Sequence, residues 1–185
     1  ELSLLDVSAQ PIAGATLDDF DPLQLNRLKE IIRSNPGGEK TLLELTDEEL
    51  EFALRLISKD GDKLIPTMTG LLLLGKSDSL GRVVPTAKAT FQVLEGTNVK
   101  VNEETSKPIL EVLELFQSYI KPWNSENEFE YDLFRIPVPE FSYAAIREGL
   151  INAFCHRDYS MLGNVRVLID DEGMSITNPG GFIED

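Results

Sequence analysis

Three polar side chains in the segment "YAAIREGLINAFCHRDYS" have the spacing of a candidate chemical site. Glu148, Asn152 and His156 stand four residues apart, in a segment that holds the only histidine and the only cysteine of the chain. On an α-helix this spacing drifts by only about 80° over two turns, so the three side chains form one line. The residues beside that line are small: Ala144, Ala145, Gly149 and Cys155. The apolar residues predict a core face on the other side: Tyr143, Ile146, Leu150, Ala153 and Phe154.

A carboxylate and a carboxamide one helical turn apart are suited to bind hydrated magnesium, which keeps several of its waters and needs few protein ligands. The Glu148 carboxylate could also orient an attacking water molecule. A solvated helix face usually carries long charged residues. This face instead carries Gly149, although a mid-helix glycine costs roughly 1 kcal/mol relative to alanine. The small residues therefore indicate close approach by another helix or by a ligand.

The triplet His156-Arg157-Asp158 matches a string from the catalytic loop of protein kinases, but the rest of the kinase pattern is missing. A kinase needs an asparagine five residues after the aspartate to hold magnesium. Here that position is Gly163, and Asn164 lies one residue too far. The chain also has no glycine-rich loop, no Val-Ala-Ile-Lys strand and no Asp-Phe-Gly. We therefore exclude a kinase.

The composition excludes several other classes of protein. The 185 residues include 32 acidic and 17 basic side chains, a net charge of −15, with no cluster of Lys and Arg of the kind that binds phosphate backbones. One cysteine and one histidine make neither a disulfide framework nor a Cys/His zinc site. No apolar run approaches the roughly 20 residues that span a bilayer. We expect no membrane association and a cytoplasmic location.

The pattern along the chain predicts an α+β fold with a helix-rich first part. Helices are predicted over "DPLQLNRLKEIIRSNPGG", capped by Asp21, over "TDEELEFALRLISKDGD", with a Thr46/Glu49 capping box, and over "SKPILEVLELFQSYIKPW". "PTMTGLLLLGK" is a short buried helix or a strand, and its flanking proline and glycine favour the helix. "TAKATFQVLEG" and "EFEYDLFRIPVPEF" are each predicted as a strand, and "NVRVLIDDEGMSITNPGG" as a hairpin.

The apolar residues of the first three helices predict which positions face the core. They are Leu25, Leu28, Ile31 and Ile32, then Leu50, Ala53, Leu54 and Ile57, then Ile109, Val112, Leu113, Phe116 and Ile120. The chain begins at Glu1 and stops just after the glycine pair of "NPGGFIED". We expect it to be a piece of a longer protein.

The stretch "IREGLINAFCHRDYS…VRVLIDDEGMSITNPGGF" resembles a family of bacterial and archaeal proteins described as transcriptional regulators or RecG-related ATP-dependent DNA helicases. The match is specific over residues 141–182 and extends more weakly back to "PIAGATLDDFD". In that family the region is similar to the nucleotide-binding fold of gyrase and histidine kinases, the GHKL group. The resemblance implies a partial GHKL-like sandwich of helices on a mostly antiparallel sheet.

The resemblance implies a role for several residues. Glu148 matches the carboxylate that activates water, and Asn152 matches the magnesium ligand. Asn178, Gly180 and Gly181 match the glycine box that contacts adenine, with asparagine in place of the family's usual aspartate. His156, Arg157 and Asp158 are shared only with the smaller family and receive no role. ATP and Mg²⁺ are the implied ligands.

The resemblance also implies an organisation into domains. Residues 1–20 would be a linker or the tail of a preceding Schlafen-type, AlbA-like domain. Residues 21–100 would form a helical or α+β linker domain, and residues 101–185 the N-terminal part of the GHKL-like nucleotide-binding module. The second glycine box and the ATP lid would lie beyond Asp185, and contact with DNA would belong to domains outside this chain. The sequence contains no P-loop motif, Gly-x-x-x-x-Gly-Lys-Ser/Thr, that would indicate a helicase motor.

The expected function is therefore that of a fragment of an ATP-binding transcriptional regulator that could form a homo-oligomer. Whether the full protein hydrolyses ATP stays open. The alternative is a degenerate GHKL-like module that binds no nucleotide, in which the small-residue face packs against another subunit or domain.

Overall fold

The computed structural model describes residues 7–131 and 134–180. Its helices are α1 (Pro22–Ser34), α2 (Asp47–Ala53), α3 (Met68–Leu74), α4 (Ser77–Val83), α5 (Ile109–Ile120) and α6 (Tyr143–Cys155). Its strands are β1 (Ile57–Asp60), β2 (Lys63–Pro66), β3 (Ala89–Glu95), β4 (Asn98–Thr105), β5 (Glu126–Tyr131), β6 (Phe134–Pro139), β7 (Val165–Asp170) and β8 (Gly173–Thr177). The fold class is α+β, as predicted.

The residues fall into two compact units. The first comprises the chain up to Ala87 together with Ser106–Glu111, and the second comprises Lys88–Thr105 and the chain from Val112 onward. The domain boundaries implied by the resemblance stay a prediction. Within the described residues, none of the helices is long and apolar enough to cross a membrane.

Helix α1 begins and packs largely as predicted. The Asp21 side chain accepts a hydrogen bond from the Leu23 backbone amide at 3.0 Å, and Pro22 occupies the first turn, where its missing N–H costs nothing. Leu25 is buried with Leu50, Leu56 and Leu74 in the core of the first unit. The prediction that Ile31 faces the core is wrong, since 46% of this residue is exposed.

Helix α2 has the predicted capping box of Thr46 and Glu49, but it ends earlier than predicted. Arg55 has a φ of 56°, in the left-handed region that terminates helices, and the Leu56 amide turns back to the Glu51 carbonyl at 2.8 Å. The chain then forms the antiparallel pair β1–β2. Ile57 is therefore buried as predicted, but in a strand rather than on a helix. Ala53 is exposed, so the prediction that it faces the core is wrong.

Helix α3 confirms the helical interpretation of "PTMTGLLLLGK". Thr67, which is 1% exposed, caps it by accepting a hydrogen bond from the Gly70 amide at 3.0 Å. The Thr67 hydroxyl in turn donates to the Leu56 carbonyl at 3.1 Å. The cap thus fixes the start of α3 against the segment that leads into β1.

The second unit is built on a four-stranded sheet in the order β4-β3-β7-β8. Strands β3 and β7 are parallel, whereas the β3–β4 and β7–β8 pairs are antiparallel. One face of the sheet carries the core of this unit: Ala89, Phe91, Val93, Val165, Val167 and Ile169. The Phe91 ring lies 6.0 Å from the Phe116 ring of α5 and 5.4 Å from the Tyr119 ring.

The structure corrects two further predictions for this unit. Helix α6 buries Ile146, Leu150, Ala153 and Phe154 as predicted, but Tyr143 is 46% exposed. The segment "EFEYDLFRIPVPEF", predicted as one strand, forms the antiparallel pair β5–β6. Asn124 closes the base of this pair, since its amide donates to the Phe141 carbonyl at 2.9 Å and accepts from the Phe141 N–H at 2.8 Å.

Candidate functional site

The structure brings Glu148 and Asn152 together on the solvent side of α6, as their spacing predicts. Both residues are exposed, and the Asn152 Nδ2 donates to the Glu148 Oε1 at 3.2 Å. This bond uses the nitrogen of the amide, so the Asn152 Oδ1 remains the atom available to a cation. Because magnesium takes few protein ligands beside water and phosphate oxygens, this donor pair fits the predicted ion.

The third residue of the line, His156, contributes its backbone rather than its imidazole. It is the residue that follows the last turn of α6, and its N–H donates to the Asn152 carbonyl at 2.9 Å. Its carbonyl accepts a hydrogen bond from the Asn178 Nδ2 at 3.1 Å. The predicted adenine-contacting residue is thus attached to the end of the helix that carries Glu148 and Asn152.

A second hydrogen bond joins the same two segments. The Asp158 backbone N–H donates to the Pro179 carbonyl at 3.0 Å. Gly180 follows with a φ of 138°, and a Cβ there would lie 3.1 Å from the His156 carbonyl oxygen and 3.3 Å from the Asp158 nitrogen. A side chain would therefore crowd both backbones, which explains the glycine. The other predicted glycine, Gly181, lies outside the described residues.

Arg157 and Asp158 organise the loop that connects α6 to β7. Arg157 is 5% exposed; its Nη2 donates to the Gly163 carbonyl at 2.7 Å and its guanidinium lies 5.0 Å from the centre of the Tyr159 ring. Burial lowers the pKa of Arg157 from its usual value. The Asp158 Oδ1 accepts from the side chain and the backbone of Ser160, which holds the pKa of Asp158 below its usual value. The triplet therefore has a structural role here.

Sequence reasoning missed this role because it depends on backbone atoms and on distant partners. The only available signal was that His-Arg-Asp ends a helix and that Asn-Pro-Gly ends a strand. Either motif alone indicates only a turn.

The small residues of α6 are explained in part by a neighbouring strand. A Cβ on Gly149 would lie 3.0 Å from the Ile176 Cδ1 of β8. The neighbour at Gly149 is thus a strand of the same unit, and not the helix or ligand considered from the sequence. Ala145 instead lines an open recess of about 350 Å³ with Ile146, Met174 and Ile176. In the described ranges, no group of three or more His, Cys, Asp or Glu residues could hold a metal ion.

Comparison with known proteins places the chain beside uncharacterised relatives. Residues 4–90 match the model of a family described as a domain of unknown function, DUF8451. No curated protein matches the chain. Among solved structures, the chain is similar to the DIP2311 protein from Corynebacterium diphtheriae, with 25% sequence identity and a TM-score of 0.70. The similarity covers 95% of this chain and 34% of that one, so the chain spans about a third of the length of the solved relative.

Proposed function

We propose that the second unit carries part of a Mg²⁺–ATP site and that the protein acts as an ATP-binding transcriptional regulator. The observation that supports this proposal is the attachment of Asn178-Pro179-Gly180 to the end of α6 through the bonds to His156 and Asp158. These two bonds keep Asn178, Pro179 and Gly180 beside the end of the helix that carries the Glu148–Asn152 pair, which supports the proposal.

Each proposed role follows from the atoms that the fold leaves exposed. Bound magnesium would neutralise phosphate charge, and the Asn152 Oδ1 would hold it. The Glu148 carboxylate would accept a hydrogen bond from a water molecule and orient it. The Asn178 Nδ2 is used by His156, so its Oδ1 would accept from the amino group of adenine. Hydrolysis is not required, because nucleotide binding alone can switch a regulator.

The regulatory part of the proposal rests on the resemblance and on charge. A chain with a net charge of −15 is poorly suited to contact DNA directly, so DNA binding would belong to other domains of the protein. We place the protein in the cytoplasm, where ATP and DNA are both accessible.

Calorimetric titration of Mg²⁺–ATP tests the proposal. It should be performed on the longest protein in which this chain occurs, because the resemblance places the second glycine box and the lid after Asp185. We expect the wild type to release heat, and Asn152→Ala to weaken binding by roughly ten-fold or more, since it removes a charge-assisted contact. Asn98→Ala, at an exposed position of β4, is the matched control. Absence of heat from the wild type would refute ATP binding, and binding unaffected by Asn152→Ala would refute the metal role.

A second candidate function is favoured by the loop between α6 and β7. Leu162 is 88% exposed and the adjacent Met161 is 47% exposed, so the tip of this loop presents two neighbouring apolar side chains to solvent. As a non-catalytic interaction module, the unit would use this tip to contact a second copy. Sedimentation velocity should then show a dimer that Leu162→Ser dissociates, whereas a monomer at all concentrations would contradict it.

A further inference from the structure

The outer face of the four-stranded sheet carries a polar cleft that the proposed nucleotide site does not use. Its volume is about 540 Å³. Successive side chains of a strand point to opposite faces. Val167 and its partner Ile176 lie on the face that contacts α6, and the residues that line the cleft lie on the opposite face. The cleft is lined chiefly by Thr90, Gln92, Asn102, Glu104, Asn164 and Arg166.

The guanidinium of Arg166 lines this cleft and is anchored at one of its three nitrogens. Its Nε donates to the Gln92 Oε1 at 2.7 Å, and the Gln92 Nε2 donates to the Asn102 Oδ1 at 2.6 Å. Both ends of the Gln92 amide are thereby used. In the part of the chain that the structure describes, the Arg166 Nη1 and Nη2 and the Asn102 Nδ2 have no hydrogen-bond partner. These nitrogen donors are therefore available to a ligand.

The one acidic residue of the cleft does not neutralise Arg166, because other groups already pair with it. The Glu104 Oε1 accepts from the Lys88 Nζ at 2.7 Å, and its Oε2 accepts from the Asn164 Nδ2 at 3.0 Å. The hydrogen bonds from Lys88 and Asn164 hold the pKa of Glu104 below its usual value, so it stays ionised and paired. The cleft thus presents an unneutralised cation on a chain whose net charge is −15.

We propose that this cleft binds a small organic carboxylate. A guanidinium is a planar fork of N–H donors that matches the two oxygens of a carboxylate, and here Gln92 holds the Nε edge of that fork while both Nη atoms stay available. The Asn102 Nδ2 adds a neutral donor beside it. Phosphate sites usually combine several cations or a run of backbone amides, whereas the second cation here, Lys88, is held by Glu104. The site is independent of the proposed ATP function, since it uses the other face of the sheet.

The test is an NMR titration of the ¹⁵N-labelled protein at physiological salt, with N-acetylglycine as the carboxylate probe. We expect saturable shifts of the Arg166 Nε–H signal and of the Gln92 and Asn102 side-chain amides. N-acetylglycinamide, which has the same body without the charge, should bind at least roughly ten-fold more weakly. Arg166→Lys keeps the charge but removes the fork, and it should weaken N-acetylglycine binding by a similar factor.

Two further variants distinguish the positioning of the Arg166 guanidinium from the effect of overall positive charge on binding. Gln92→Leu should weaken binding several-fold while Arg166 keeps its charge, because the guanidinium loses its anchor. Lys100→Gln, on neighbouring β4, removes one positive charge from an ion pair with Glu95 outside the cleft and should leave binding unchanged. Equal binding of acid and amide, or an unchanged affinity in Arg166→Lys, would overturn the proposal. So would tighter binding of inorganic phosphate than of N-acetylglycine.

Discussion

At the scale of single residues, the hydrogen bond of Asn178 explains why an amide suits this position better than a carboxylate. Its Nδ2 donates to the His156 carbonyl at 3.1 Å. An aspartate at this position would oppose that carbonyl oxygen with a charged acceptor. The amide can instead donate to the backbone with its nitrogen and still offer its oxygen to a ligand.

We predict that Asn178→Asp lowers the free energy of unfolding by about 1 kcal/mol at pH 7, because a hydrogen bond is replaced by repulsion between two acceptors. Asn98→Asp, which makes the same change at an exposed strand position, should alter it by less than about 0.5 kcal/mol. Urea unfolding followed by circular dichroism measures both. An Asn178→Asp protein as stable as the wild type would show that the bond to His156 contributes nothing.

The residue scale also shows what the sequence could and could not predict about the site. The contact of Glu148 with Asn152 followed from helical spacing alone, because a helix repeats its geometry wherever it occurs. The roles of Arg157 and Asp158 could not be predicted, since they depend on the Gly163 and Pro179 carbonyls. No periodic pattern relates these atoms, and only the folded loop brings them together.

At the scale of secondary-structure elements, α3 packs very close to the segment before β1. A Cβ built on Gly70 would lie 2.0 Å from the Leu56 carbonyl oxygen and 2.9 Å from the Phe20 Cζ. The Leu56 carbonyl cannot move freely, because it also accepts from the Thr67 N–H and hydroxyl. The glycine therefore sets the distance at which α3 packs.

We predict that Gly70→Ala destabilises the protein by about 2 to 4 kcal/mol, although alanine is the better helix former. The clash involves backbone, so relief requires α3 to shift. Gly81→Ala in α4 is the matched control, since Gly81 is exposed and a Cβ there meets nothing within 4 Å. That change should stabilise by about 0.5 to 1 kcal/mol. Equal effects of the two substitutions would contradict the packing argument.

The elements themselves were predicted where one periodic pattern ran from cap to cap, as in α1 and α6. Predictions failed where a turn interrupted an apolar run. Arg55 ends α2 by adopting a left-handed conformation that arginine rarely takes, so the residue type at this position did not predict the end of the helix. The signal that could have corrected the prediction was Gly61-Asp62, a common two-residue hairpin turn, which lies between β1 and β2.

At the scale of the whole molecule, the order of the strands in the sheet could not be predicted from the sequence pattern. Alternation in β3 indicates which face is buried, but not that residues 89–93 pair in parallel with residues 165–169. That pairing joins segments separated by β4, two helices and the β5–β6 pair. It follows from burying the apolar sides of both strands in one core. The polar cleft on the opposite face is a consequence of the same pairing.

Charge is the other property of the whole molecule, and it makes stability depend on pH. Groups whose pKa is held below the usual value occur in both units: Asp19 and Glu49 in the first, and Glu104 and Asp158 in the second. Such groups stabilise the fold above their unfolded pKa, and this contribution is lost as the pH falls through the folded pKa.

Among these carboxyl groups with a lowered pKa, Asp19 is the buried one, since only 7% of it is exposed. Burial by itself raises the pKa of Asp19. Hydrogen bonds from Ser79 and the Thr16 amide, together with the charge of Arg82, outweigh burial and hold the pKa below the ordinary 3.8. The Asp19 Oδ1 accepts from the Ser79 Oγ at 2.7 Å and from the Arg82 Nη2 at 2.6 Å. This one carboxylate therefore joins the segment before α1 to α4.

We therefore predict that Asp19→Asn lowers the free energy of unfolding by about 1 to 3 kcal/mol at pH 7, and that the difference from the wild type narrows as the pH falls below 3.8. The narrowing follows because the wild-type carboxylate is then itself protonated and loses its pairing with Arg82. Urea unfolding between pH 7 and 3 measures it, with circular dichroism as the probe because the only tryptophan, Trp123, lies in the other unit. Asp18→Asn, at the exposed neighbouring position, should follow the wild type throughout. A difference that stays constant with pH would show that Asp19 acts through its shape and not through its charge.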